Sequence, residues 1–116
     1  LSKDAGRRAA LEAAGAEVLE LPGHEGAVDL RALLEELARR DVNEVHVEAG
    51  ARLSGAFLEA GLVDEILLYQ APCLFGEGLP IATLPLPAAP GEAPRWIIVS
   101  TGQVGNDLRI VLKRGQ

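Results

Sequence analysis

The sequence predicts an α/β domain with a mixed, mostly parallel sheet, flanked by helices and closed by a carboxyl-terminal antiparallel hairpin. Two observations support this prediction. Along most of the chain, the apolar spacing alternates between the two-residue period of strands and the 3.6-residue period of helices. Near the end, two β-rich runs face each other across a short turn. Because strands that alternate with helices usually form a covered parallel sheet, this order favours parallel pairing for the earlier strands.

The first three predicted elements are a helix, a strand and a second helix. Residues 3–14 are rich in helix formers, and Gly15 stands where a helix usually ends. A strand over residues 16–21 ends at the turn signal of Pro22 and Gly23. Asp29 is predicted to cap the second helix, which carries a charged outer face. The apolar residues that recur on its core side are Leu30, Leu33, Leu34 and Leu37.

Residues 45–60 organise the rest of the chain. Val45 and Val47 alternate with polar residues as in a strand, and helical spacing begins after Gly50. The apolar face expected for this helix comprises Leu53, Ala56, Phe57 and Ala60. Ligands of open α/β sheets bind beyond the carboxyl ends of strands, and a helix start offers N–H groups to a phosphate. Glu48 and Gly50 lie at such a crossing point, which predicts a site for a ligand with a phosphate-bearing part and a hydrogen-bonding part.

Two alternatives bear on this site. Gly50 and Gly55 have the end-to-end spacing of a phosphate-binding loop, but Ala56 and Phe57 stand where that loop requires Lys and Ser or Thr. This argues against a nucleotide triphosphatase. The other alternative is structural, with the two glycines permitting a turn and close helix packing and Glu48 solvated at a strand end.

The rest of the chain is predicted to form a strand, a long loop and a hairpin. Residues 66–71 are apolar on both faces, as in a strand at the centre of a sheet. Residues 73–89 contain too many prolines and glycines for regular structure and are long enough to form a lid or an interface arm. Within them, Cys73 is expected to be a buried small residue, because no second cysteine completes a zinc motif. The closing hairpin pairs residues 95–101 with residues 107–114.

Composition restricts the classes of function. The net charge is −6 and the basic residues are scattered, which argues against nucleic acid or an anionic membrane as a partner. Two Phe, one Trp and one Tyr do not suffice for a base-stacking platform. No apolar run approaches the length of a membrane span. The single cysteine excludes a multi-cysteine metal site and suits a reducing compartment, so a cytoplasmic location without a bound metal is expected.

Three motifs, taken together, carry a resemblance to a known family. They are residues 47–57, residues 60–65, and residues 69–72 with 74–76, supported by residues 8–18 and 107–109. Through them the chain resembles the reductase domain of bifunctional riboflavin-biosynthesis deaminase/reductases. The resemblance implies a dihydrofolate-reductase-like fold. Residues 1–116 would be the carboxyl-terminal portion of that domain, so its first half and the deaminase module would lie outside this sequence.

The resemblance also implies an activity, the NADPH-dependent reduction of 5-amino-6-(5-phosphoribosylamino)uracil to its ribitylamino product. Glu48 matches the glutamate that contacts the substrate. The segment that lines NADPH in the family corresponds to Gly50, Ala51, Arg52, Leu53, Ser54, Gly55 and Ala56. Arg52 stands where relatives commonly carry Thr, so it either adds a cation near the cofactor phosphates or points to solvent. The expected partners are a small-molecule substrate and a second copy of the chain in a homodimer.

Two other functions stay open. The chain could be a non-catalytic assembly module that pairs two copies through the strand at residues 66–71 and the closing hairpin. It could also belong to a dihydrofolate-reductase-like enzyme that shares the cofactor segment but acts on another substrate. In every case the fragment alone is expected to be incomplete for catalysis.

Overall fold

The computed structural model describes residues 5–24 and 26–115, and the chain divides into two compact units, one ending at His46 and one beginning at Val47. The first unit contains α1 (Ala5–Ala13), β1 (Gly23–His24), β2 (Ala27–Val28) and α2 (Leu30–Arg39). The second contains α3 (Ala51–Glu59), β3 (Glu65–Gln70), a 3₁₀ turn (Pro90–Glu92), β4 (Trp96–Val104) and β5 (Asp107–Arg114). None of the helices in the described ranges has the length and apolar character needed to cross a membrane.

The second helix begins as predicted. The carboxylate of Asp29 accepts hydrogen bonds from the backbone N–H groups of Arg31 at 2.9 Å and Ala32 at 3.0 Å. These bonds satisfy donors that have no acceptor inside the helix, which is the usual role of an N-cap aspartate. The four leucines of the predicted core side are half-buried, and none of them is fully buried.

The three α-helices of the described residues end in the same way. The residues just past their ends, Gly15, Asp41 and Gly61, have φ angles of 88°, 62° and 68°. The N–H of the following residue then reaches back into the helix, as from Ala16 to the carbonyl of Leu11 at 3.0 Å. This is the Schellman motif, which satisfies carbonyls at a helix end. The end predicted at Gly15 is confirmed, whereas Asp41 is a left-handed residue that no sequence signal indicated.

The described strands pair only in antiparallel fashion, so the predicted mostly parallel sheet is not confirmed. β1 pairs with β2, and the three-stranded sheet has the order β3-β5-β4. Residues 16–21 and 45–47, predicted as parallel strands, form no strand. The physical reason is that a ladder requires a neighbour whose N–H and C=O groups pair with those of the segment. β3, predicted at the sheet centre, is therefore an edge strand among the described residues.

The closing hairpin is confirmed and supplies the central strand of the larger sheet. In β5, Leu112 lies opposite Ile66 and Ile98, and Ile110 lies opposite Leu68. Residues that lie directly opposite each other share a face, so these side chains form one apolar row across the strands. Ile98 at the end of this row is exposed, as are Leu67, Tyr69 and Ile97 on the other face of the sheet. A register shift between Ile98 and Ser100 marks a bulge in β4.

Arg114 ties the end of β5 to the turn that follows α3. One guanidinium nitrogen donates to the carbonyl oxygens of Gly61 and Val63, each at 2.7 Å. Hydrogen bonds from a charged donor are stronger than neutral ones. This clamp fixes the connection between α3 and β3, which the sequence alone did not indicate.

The loop between β3 and the 3₁₀ turn contains no helix or strand, as predicted. The prediction that Cys73 is buried is wrong, because its side chain is exposed. A loop with so few packed neighbours offers no interior in which to place it. Large apolar side chains of the same loop are also strongly exposed: Leu74, Phe75, Leu79, Ile81 and Leu86. Exposed apolar groups on this scale are typical of an interaction surface.

Acid is expected to weaken the first unit through Glu36. Hydrogen bonds from Arg40 and Arg39 hold the pKa of the Glu36 carboxyl below its ordinary value. Because the unfolded chain binds this proton more readily, the stabilisation is complete above the ordinary glutamate pKa and is lost as pH falls through the folded-state value. In urea titrations between about pH 3 and pH 6, Glu36→Gln is expected to show a shallower pH dependence than the wild type.

The matched control is Glu35→Gln, which removes the same charge one residue earlier on the same helix. It leaves the hydrogen bonds from Arg39 and Arg40 to Glu36 in place, so it is expected to lose stability in acid as the wild type does. An equal slope for Glu36→Gln and the wild type would contradict the assignment. The effect is small, since exposed ion pairs contribute little individually.

Candidate functional site

The first turn of α3 begins without a side-chain cap. Gly50 is the N-cap residue, with φ −69° and ψ 164°, and because it has no side chain it supplies no capping hydrogen bond. The carbonyl of Gly50 accepts from the N–H groups of Leu53 at 3.1 Å and Ser54 at 3.2 Å. The α2 helix, in contrast, is capped by Asp29. An uncapped helix start presents its earliest N–H groups and a partial positive charge to an incoming anion.

The surroundings of this helix start are open. A side chain added at Gly50 would meet no atom within 4 Å of its first carbon. The φ angle of Gly50 is accessible to any residue, so the backbone conformation does not require glycine here. Its lack of a side chain instead leaves room for a ligand to approach the helix start. Arg52, on the first turn, is exposed. The predicted site at Gly50 is therefore accessible, and the position of Arg52 suits either a phosphate contact or solvent.

At Gly55, the structure supports the packing alternative. Gly55 is buried, and a Cβ atom built there would lie 1.9 Å from the carbonyl oxygen of Thr83. The N–H of Thr83 donates to the carbonyl of Ala51 at 2.8 Å. Only glycine permits such close approach of a backbone to the middle of a helix. The predicted segment thus divides into an open start at Gly50 and a covered position at Gly55.

The apolar face predicted for α3 is mostly wrong. Of its four residues, only Phe57 is buried, with 5% of its surface exposed. Leu53 is 44% exposed, and Ala56 and Ala60 are exposed as well. The covered side instead includes the half-buried Ala51, Ser54 and Leu58 beside Gly55. The reason is that periodicity identifies an apolar stripe but not its partner, and here the partner is the loop at Thr83.

Glu48 lies two residues before the helix start. Its side chain is exposed, and the strand end on which it was predicted to stand does not form. Only Ala49 lies between Glu48 and Gly50, so the Cα atoms of these two residues are at most about 7 Å apart. Adjacency in the chain therefore places a carboxylate near the open N–H groups. Ser54, on the covered side, donates its hydroxyl to the carbonyl of Ala49 at 3.3 Å and so helps to fix the connecting residue.

These features define an α/β domain with an open helix start suited to an anionic ligand and a carboxylate beside it. Residues 3–110 match the family model described as the RibD C-terminal domain. The chain belongs to that family, and the resemblance stated from its motifs is confirmed.

Proteins similar to this chain are named for riboflavin biosynthesis or as a uracil reductase. The riboflavin biosynthesis protein RibD of Escherichia coli is 40% identical over 91 residues, which cover 78% of this chain and 25% of that protein. The 5-amino-6-(5-phosphoribosylamino)uracil reductase of Buchnera aphidicola is 30% identical over 90 residues, 77% of this chain and 44% of that protein. The chain therefore spans less than half the length of these two relatives.

A solved structure supports the fold. The structure of Acinetobacter baumannii RibD aligns with a TM-score of 0.76 and 31% sequence identity, covering 93% of this chain and 29% of that one. The alignment therefore extends over nearly the whole chain. It establishes that the α/β architecture of the chain is that of part of RibD.

Proposed function

We propose that this chain forms the cofactor-binding part of an NADPH-dependent reductase that acts on 5-amino-6-(5-phosphoribosylamino)uracil. The observation that carries the proposal is the uncapped, accessible start of α3 at Gly50. The name of the Buchnera relative supports the reaction. A dihydrofolate-reductase-like arrangement and a cytoplasmic location belong to the same proposal and rest on the sequence.

The helix start fits a phosphate of such a cofactor. Backbone N–H groups of the first turn can hold the phosphate without a charged side chain, and Gly50 leaves room for it. Arg52 adds an exposed cation on the same turn. Leu53 and Ala56, which are also exposed, are available to line the cofactor, whereas Ser54 and Gly55 support the turn from its covered side. When bound, the cofactor supplies the hydride.

Glu48 is proposed to orient the substrate. Its carboxylate can accept hydrogen bonds from N–H or O–H groups of the pyrimidine or the ribosyl chain, and a carboxylate makes such bonds stronger than a neutral acceptor would. Holding the two reactants together accelerates transfer by removing their freedom to separate. The task of these residues is therefore to place the ribosyl carbon next to the cofactor and to keep water away.

A second candidate function is assembly. Among the described strands, β4 lies at an edge of its sheet, with three exposed apolar residues in a row, Ile97, Ile98 and Val99. An edge of this kind pairs readily with another strand. A homodimer formed through this edge is compatible with the reductase activity. If the chain were a non-catalytic module, forming this dimer would be its whole function. A related reductase with another substrate would share the cofactor segment and differ in residues outside it.

NADPH binding to the full-length protein tests the proposal. Gly50→Val is expected to weaken binding by at least about tenfold, because the branched side chain covers the open helix start and excludes the phosphate. Titration of NADPH fluorescence, checked by calorimetry, measures the effect. Gly102→Val in β4 is the matched control, since a side chain there also meets no atom within 4 Å. It is expected to retain wild-type affinity.

The two outcomes separate the candidate functions. The cofactor site on α3 is supported if the wild-type protein and Gly102→Val bind NADPH with the same affinity and Gly50→Val binds it much more weakly. No binding by the wild-type protein, together with a mass that rises with concentration, would reject the reductase and favour the assembly module.

A further inference from the structure

The contact between Thr83 and α3 joins residues far apart in the sequence. It consists of backbone atoms on both sides: the Thr83 N–H donates to the Ala51 carbonyl at 2.8 Å, and the Thr83 carbonyl lies against Gly55. The rest of the loop is weakly held, since Leu79, Ile81 and Leu86 are strongly exposed. Among the described residues, this contact is therefore a principal anchor of the loop.

The anchor acts on the turn that the cofactor would use. Ala51 is the first residue of α3, and its carbonyl lies in the same turn as the open N–H groups that follow Gly50. A site binds tightly when its groups are held in place beforehand, because less freedom is lost on binding. A hydrogen bond from outside the helix to its first residue restrains the end that otherwise frays.

We propose that Thr83 is a positioning residue for the cofactor site, and this inference rests on the function proposed above. Its backbone, docked on Ala51 and Gly55, fixes the first turn of α3. NADPH then binds with full affinity only while the loop is docked. Gly55 is required as the surface on which the loop lies, and it supports the cofactor site without contacting the ligand.

Two variants of the full-length protein break the docking in different ways. Gly55→Ala places a methyl group where the Thr83 carbonyl lies, although alanine normally favours a helix over glycine. Thr83→Pro removes the N–H that donates to Ala51. Gly78→Ala, in an open part of the same loop, is the matched control for the first variant. Thr83→Ala keeps the backbone groups and is the conservative counterpart of the second.

Amide hydrogen exchange without cofactor and NADPH affinity are the two measurements. Both disruptive variants are expected to speed exchange at Leu53 and Ser54, whose N–H groups bond to Gly50 in the first turn. The Kd for NADPH is expected to rise about tenfold, the effect of losing roughly one hydrogen bond. The KM for NADPH should rise by the same factor, with kcat nearly unchanged. Gly78→Ala and Thr83→Ala should keep the wild-type Kd.

Three results would overturn the inference. Unchanged exchange at Leu53 and Ser54 in both variants would show that the docked loop does not fix the turn. Faster exchange with an unchanged Kd would show that the cofactor does not depend on the turn. No NADPH binding by the wild-type protein would reject the proposed function and this inference together, whereas wild-type affinity in both variants would reject the inference alone.

Discussion

Replacing Phe57 with alanine is expected to lower the free energy of unfolding of this chain by about 3–5 kcal/mol. Phe57 is the one large apolar side chain among the described residues that is buried, with 5% of its surface exposed. Truncation removes the free energy gained by burying the aromatic ring away from water. It also leaves a cavity that the surroundings fill only in part. Urea unfolding, followed by circular dichroism and by the fluorescence of Trp96, measures the loss.

Leu53→Ala is the matched comparison, on the same helix and on the same predicted apolar face. Leu53 is 44% exposed, so its truncation is expected to change the free energy of unfolding by less than about 1 kcal/mol. If the two variants were equally destabilised, the stripe predicted from periodicity would be the buried face after all. The pair therefore tests which side of α3 is covered.

Local signals in the sequence predicted the helices and the hairpin. Asp29 precedes a leucine-rich run and caps α2, and Gly15 follows the last residues of α1. The change of period at Gly50 predicted the start of α3 at the residue where the structure has it. Each of these features depends on interactions within a few residues. These helix ends could be predicted from the sequence because the interactions that cause them lie within the same segment.

The sequence predicted strands at residues 16–21 and 45–47, and local signals could not show that neither segment forms one. Their alternating pattern fits a strand, but a strand exists only when a neighbour pairs with it. The described strands that do pair, β1 with β2, β3 with β5 and β5 with β4, are antiparallel. The central position predicted for β3 failed for the same reason. Apolar residues on both faces of β3 show that both faces could be buried. They do not show how many neighbouring strands pair with it.

The candidate site was predicted in part. The sequence identified Gly50 from the change of period and from the resemblance, and the structure shows it as an open helix start. Nothing in the sequence indicated that Thr83 docks on Gly55, because the contact uses backbone atoms that every residue carries. A glycine in the middle of a helix was the only available signal, since it often marks close approach of another backbone.

Glu48→Gln is expected to lower kcat/KM for the pyrimidine substrate by about ten- to hundredfold in the full-length protein, because a neutral amide replaces the charged acceptor of the substrate's hydrogen bonds. The change keeps the size of the side chain and removes its charge. Steady-state kinetics with saturating NADPH measures the loss. Glu44→Gln, an exposed glutamate shortly upstream, removes the same charge and is expected to leave the kinetics unchanged.

How the loss divides between kcat and KM decides the role of Glu48. An orienting carboxylate that holds the substrate equally well before and during transfer raises KM when removed and leaves kcat nearly intact. A carboxylate that also moves a proton would lower kcat by about 10²–10⁴-fold. Glutamine can still accept a hydrogen bond but cannot take up a proton, so a lowered kcat with little change in KM would assign proton transfer to Glu48. If neither constant changed, Glu48 would have no part in the site, and the open helix start at Gly50 would have to act without a neighbouring carboxylate.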